Sequence, residues 1–295
     1  MKWVSFCIGA KTHHLAERNE YTYMQITKIH AAGSDYLLCK ETAYADGTAA
    51  QQLLDRRTGI GADGLLLLSR GQGADVHLRQ LLPDGSEGHP DAAALIAAAK
   101  YLYDGDHTKC RVSISVGDRI YPVRISVLRG RVLCAWLTMP PIVPKPMEQL
   151  KYYHGIRGEV LRACLTHPRI SIYDLSGAHA VFLLESCAAL RALQLQSVCR
   201  RLEEVLFWGE SIDLHFAAIA GDNALAMRSW RCRVGEIGAS GEGAVLSAYA
   251  AAAAELCDAP RIMVKCSCGS FCVELCGKEA SLCAKCETIF IGEAI

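Results

Sequence analysis

The chain has 295 residues, 51% of them hydrophobic, and 31 basic side chains balance 31 acidic ones for a formal net charge of zero. That composition excludes a disordered chain, and the balanced charge offers no footprint for a nucleic acid or an anionic membrane surface. The length exceeds one ordinary domain, so two are expected, and no apolar run approaches the roughly eighteen residues that cross a bilayer.

The N-terminal MKWVSFCIGAK carries an apolar run only from Trp3 to Ala10. Lys11, His13 and His14 follow where a small-residue cleavage site would fall, so a secretory leader is not expected. Residues 1–23 read as an N-terminal extension. Fifteen cysteines, an odd number without a leader, point to free thiols in a reducing, cytoplasmic setting.

Period-two alternation then predicts strands over Gln25–His30, Tyr36–Lys40, Gly64–Ser69, Val76–Leu82, Arg111–Val116, Tyr121–Leu128 and Val132–Leu137. Helical patterns cover Gly47–Arg56, Asp91–Tyr103, Cys187–Leu206 and Ser240–Leu256. The proline-rich PPIVPKP, Pro140–Pro146, is unsuited to a sheet or a helix and marks the domain junction. The expected fold class is α+β: two pseudo-symmetric domains, residues 24–139 and 140–283, each a barrel-like, mostly antiparallel sheet around a central helix.

The two halves echo each other. SEGHPDAAALIAAA from Ser86 aligns with GEIGASGEGAVLSA from Gly235, which sets Glu87 on Glu236 and Asp91 on Ser240. Each of the latter pair opens an alanine-rich helix, and the two are expected to face each other across an interdomain cleft. Such clefts are preferred sites for small ligands, and helix N-termini there favour anions.

RRTGIGADGLLLL (56–68), MQITKIHAAGSDY (24–36), DGSE (84–87), KYLY (100–103), GAHAVF (177–182) and VGE (234–236) resemble the diaminopimelate epimerases. The resemblance runs from Met24 to Gly292. It implies two mirrored domains, with a last strand near residues 284–293 returning to the first. It also implies cofactor-independent (PLP-free) epimerisation at an amino-acid α-carbon, an amino-acid-like ligand, homodimers, and an ancestry in lysine biosynthesis. That chemistry uses one thiol on each face of the substrate, one removing the α-proton and the other returning one.

Neither thiol is present. The two cysteine positions align with Asp91 and Ser240, and the glycine amides that hold a substrate carboxylate fall at Ala92, Ala93, Gly241 and Glu242. The remaining substrate-contact positions carry over to Ser34, Leu82, Gly177, Ser211, Arg231 and Cys232. The expectation is a divergent pseudoenzyme that keeps the scaffold and has lost or altered the chemistry. The alternative is an isomerase using Asp91 as its single base, aided by Ser240, Glu242 or His179.

Aspartate and serine are good helix caps, each worth about 1 kcal/mol over alanine, so capping alone accounts for both residues. Glu242 suits the dipole of its own helix and would repel a substrate carboxylate. GIGADG (59–64) reads as a turn with Asp63 bonding its backbone, and Glu87 and Glu236 as holders of loop amides. His179 reads as a packed core residue. Cys266, Cys268, Cys283 and Cys286 are expected to line strand faces; a tetrahedral zinc site made from those four thiols is the alternative.

Overall fold

In the computed structural model, residues 24–41, 46–145, 169–206 and 212–294 are described. Ser211 and the N-terminal extension lie outside the described residues. The first half runs β1 (Met24–Ala31), β2 (Ser34–Lys40), β3 (Gly64–Arg70), β4 (Val76–Leu81), β5 (Glu87–Gly88), β6 (Arg111–Val116), β7 (Arg119–Leu128) and β8 (Arg131–Thr138). Successive pairings are antiparallel for β1–β2, parallel for β2–β3, antiparallel for β3–β4 and β4–β5, parallel for β4–β6, then antiparallel through β8.

The second half repeats that order of pairings over β10 (Arg169–Asp174), β11 (Ala178–Leu184), β12 (Ile212–Gly221), β13 (Ala224–Arg231), β14 (Gly235–Ile237), β15 (Arg261–Lys265), β16 (Ser270–Cys276) and β17 (Glu279–Ala284). β8 and β17 pair antiparallel and form a seam between the halves. Two further strands cross over: β9 (Val143–Lys145) adds to β10, and β18 (Cys286–Ala294) adds along the whole of β1. The fold is therefore α+β, a mostly antiparallel sheet curled around buried helices.

β9 corrects the expectation for the proline-rich stretch, which holds a strand after all. Pro144 lies opposite Tyr173 and β10 is its ladder partner among the described residues, so the proline sits on an edge where its missing N–H costs nothing. The helix expected over Cys187–Leu206 is two, α3 (Cys187–Ala192) and α4 (Leu195–Leu206). Ser186 caps the first, and the chain turns extended at Leu193.

The central helices are α2 (Ala92–Gly105) and α5 (Gly241–Ala253), while α1 (Gly47–Leu54) covers the outside of β2 and β3. Every residue of α2 from Ala92 to Lys100 is buried, which is why an alanine-rich sequence with no polar face can be helical here. Small side chains let the curled sheet close on the helix, and a single apolar cluster takes in both α2 and α5. Lys100, the one charged member of that stretch, is held by the Asp104 carboxylate and by Thr288 Oγ1 at 3.1 Å on β18. In place of loop amides, Glu87 and Glu236 take mirrored two-pronged arginines from the neighbouring strand. Arg79 Nε reaches Glu87 at 3.0 Å, and Arg228 Nε reaches Glu236 at 2.8 Å. The fork geometry fixes each short strand, β5 and β14, just before its helix.

The helices meet end to end. A Cβ on Gly241 would stand 2.5 Å from the Ala92 Cβ and 2.8 Å from Leu282, so only glycine permits the approach. Gly241→Ala is expected to lower stability by about 1–3 kcal/mol, read as a shift in urea midpoint. Gly105→Ala, whose added Cβ meets nothing within 4 Å, is the control expected to leave the midpoint unchanged or raised.

Candidate functional site

Asp91 lies in extended conformation before α2, and its Oδ1 accepts the Ala94 N–H at 3.0 Å. Ser240 does the same for α5, its Oγ accepting the Gly243 N–H at 3.0 Å. Asp91 and Ser240 are thus both engaged as caps. Asp91 has two further partners: the Tyr36 hydroxyl donates to Oδ1 at 2.7 Å, and Arg231 stands 3.5 Å from Oδ2. Arg231 Nε also lies 3.5 Å from Asp213 Oδ2, while Asp213 Oδ1 accepts the Cys232 N–H at 3.2 Å.

Glu242 crosses between the halves. Its Oε1 accepts the Ala92 N–H at 2.9 Å, so the carboxylate seats itself on the positive end of α2, the helix of the other half. The carboxyl also accepts its own backbone N–H, so one side chain serves the ends of both helices. Burial, with Asp91 beside it, pushes the Glu242 carboxyl up to about 7. Burial works against the Arg231 charge but is outweighed by Asp91, Asp213 and Glu242, which hold the guanidinium ionised. Burial also raises the Tyr36 phenol, reinforced by the Asp91 carboxylate it donates to.

A second polar chain runs beneath α5. His179 Nε2 lies 3.1 Å from the Leu175 carbonyl, and its Nδ1 is 3.1 Å from His215 Nε2. His215 Nδ1 reaches Ser229 Oγ at 3.0 Å. With Nε2 of His179 donating to the carbonyl, both rings are satisfied as neutral imidazoles, and burial lowers the affinity of each for a proton. His179 is therefore a packed core residue with full partners.

The structure brings Asp91, Ala92, Arg231, Gly241 and Glu242 together. Ser34 joins them through Tyr36, whose oxygen its hydroxyl meets. Ala93 is buried in α2, and Cys232 is buried with its N–H on Asp213. Leu82 instead packs over Gly88, and Gly177 lies in the β10–β11 turn at φ +147. Beside that turn a cleft of about 550 Å³ is lined by Arg119, Tyr121, Asp174 and Ser176, among others. Sequence reasoning missed Tyr36 and Asp213. The available signal was a tyrosine on the inward face of β2, whose buried hydroxyl needs a partner, and a lone carboxylate in the apolar run IDLHF.

The terminal cysteines part company. Cys266 and Cys268 lie in the β15–β16 turn, correcting the expectation of a strand face. The Ser240 N–H bonds the Cys266 sulfur, while the Cys268 N–H donates to the Gly238 carbonyl at 3.1 Å. Cys283 and Cys286 belong to β17 and β18. Among the described residues no group of three or more His, Cys, Asp or Glu is placed to hold a metal ion. Nor, among them, is any helix long and apolar enough to cross a membrane.

The same fold occurs in several solved structures. A phenazine biosynthesis protein of the PhzF family from Bacillus anthracis superposes with a TM-score of 0.67, covering 93% of this chain and all of that one at 12% identity. A hydroxyproline epimerase from Agrobacterium vitis superposes with a TM-score of 0.58, covering 92% of this chain and 91% of that one at 14% identity. In sequence, the chain is similar to diaminopimelate epimerases. The Pelotomaculum thermopropionicum enzyme is 28% identical over 235 residues, 77% of this chain and 83% of the relative. No family model matches the chain.

The Glu242 environment sets a sign for pH dependence. Its folded-state affinity for protons exceeds the unfolded one, so between about pH 4.5 and 7 the folded state binds more protons and stability falls as pH rises. Glu242→Gln keeps an oxygen for the Ala92 N–H and removes the titration. Between pH 5 and 8 the wild type is expected to lose on the order of 1–3 kcal/mol more than this variant, read from urea midpoints. Separately, Tyr36→Phe is expected to cost about 1–3 kcal/mol, because the half-buried Asp91 carboxylate loses a donor.

Proposed function

We propose that this chain is a divergent relative of the cofactor-independent amino-acid epimerases in which two-thiol proton exchange has been lost. The carrying observation is the Glu242–Ala92 hydrogen bond at 2.9 Å. A substrate carboxylate would need the N–H groups at the end of α2, and the protein's own carboxylate takes one of them. Asp91 and Ser240 support the reading. The first has a cap, a phenol and a guanidinium on its carboxylate, and the second spends its oxygen on the Gly243 N–H.

Proton exchange between two faces of a carbon needs two groups with interchangeable acid and base states. An aspartate opposite a serine hydroxyl is not such a pair, since an unassisted hydroxyl gives up its proton reluctantly. With three carboxylates around one guanidinium, the site is better matched to a neutral or cationic ligand than to a free amino-acid carboxylate. The chain then acts as a non-racemising, ligand-binding paralogue.

A second reading rests on the Glu242 carboxyl, which burial and the neighbouring Asp91 charge push up to about 7, so that it can take up and release a proton near neutrality. It makes the protein a single-base proton exchanger. One experiment separates the two. The purified protein is incubated in deuterium oxide with LL- and meso-diaminopimelate, proline and hydroxyproline, and α-deuterium is followed by NMR. The first reading expects none above the no-protein control. Incorporation that disappears in both Asp91→Asn and Glu242→Gln selects the second, and interconversion of LL and meso forms overturns both.

A further inference from the structure

The register of β7, β8, β17, β16 and β15 lines up five residues on one face: Arg124 opposite Trp136, Trp136 opposite Cys283, Cys283 opposite Cys272, and Cys272 opposite Met263. Their neighbours Leu137, Leu282 and Val273 point inward and are fully buried, so the row lies on the outer face of the curled sheet. Cys283 is 8% exposed, Cys272 is half-buried, and Met263 is 40% exposed. The Arg124 and Arg261 guanidinium groups each stand 5.6 Å from the centre of the Trp136 ring. A third thiol, Cys134, lies two residues along β8 from Trp136 and within hydrogen-bonding reach of the Cys283 sulfur. None of these groups belongs to the interdomain site.

We propose that Cys272 and Cys283 form a dithiol site that reacts with small organic disulfides and closes to a cross-strand disulfide. The geometric ground is the ladder itself. Residues directly opposite in an antiparallel pair have Cα atoms about 4.5–5.5 Å apart, inside the roughly 4.4–6.8 Å that a disulfide spans, so closure needs no backbone movement. Cys134 is diagonal to Cys283, and diagonal neighbours stand about 7–8 Å apart, beyond that span. It is the neighbouring thiol and not the bonded one.

The chemistry balances in two exchanges. The Cys272 thiolate attacks one sulfur of the external disulfide, breaks its S–S bond and expels one small thiolate. Cys283 then gives its proton to solvent and attacks the Cys272 sulfur of the mixed disulfide, expelling the second. The protein has lost two protons and two electrons, and both electrons reside in the two released small thiols. Arg261 favours the attacking Cys272 thiolate, while burial opposes it and burial with the Cys134 contact holds the Cys283 thiol protonated. Reaction is therefore expected over minutes to hours and not seconds.

The test incubates the full chain with oxidised glutathione, caps remaining thiols by alkylation and maps tryptic peptides by mass. Cleavage after Lys278 and Lys285 leaves peptide 279–285 with Cys283 as its sole cysteine. The expected result is that this peptide becomes disulfide-linked to peptide 266–278, and that dithiothreitol releases it. The link should vanish in Cys272→Ser and persist in Cys134→Ser. Because peptide 266–278 holds Cys266, Cys268, Cys272 and Cys276, fragmentation of the linked wild-type pair is used to place the bridge at Cys272 without any variant folding. The proposal is overturned if Cys283 stays alkylatable after the exposed Cys268 and Cys276 have been glutathionylated, or if its partner is Cys134 or another cysteine.

Discussion

The meeting of two helix N-termini governs this molecule. Ends of α2 and α5 approach until Ala92 touches Gly241, a contact that concentrates two unsatisfied sets of N–H groups in one buried place. Such a junction demands negative charge and acceptor oxygens. Asp91, Ser240 and Glu242 supply them, and Arg231 offsets the excess they bring. The junction is thereby satisfied from within the chain. The same feature explains the burial of a glutamate and the need for glycine at position 241.

Much of this was legible in the sequence. The alanine-rich runs after Asp91 and Ser240 announced the central helices, because a helix without a polar face has to be enclosed, and both caps are where the local pattern put them. The repeat of Glu87 and Glu236 was legible as symmetry, though their partners were not. Arg79 and Arg228 lie eight residues earlier on a strand whose pairing is set only by the folded sheet. β9 escaped notice because its proline, Pro144, forbids a central strand but not an edge, and only tertiary context decides between them.

The polar site was half legible for the same reason. Arg231 and Glu242 stood at aligned positions, but that Glu242 would serve the opposite helix depends on an approach between residues 150 apart in the chain. Tyr36 and Asp213 carried only the general signal of a polar group in an apolar strand. The thiol row is the clearest case of information absent from spacing. Cys272 and Cys283 look like scattered members of a cysteine-rich tail until the hairpin register sets one against the other.

The crossing of β9 and β18 has a bearing on how the chain acquires its shape. Each half hands its closing strand to the other, so neither half completes its own sheet. During synthesis, one edge of β1 must wait until residues 286–294 emerge, with an open ladder and apolar neighbours meanwhile uncovered. Severing the chain at the proline-rich crossing would therefore yield not two small proteins but two incomplete ones, each carrying the other's missing piece.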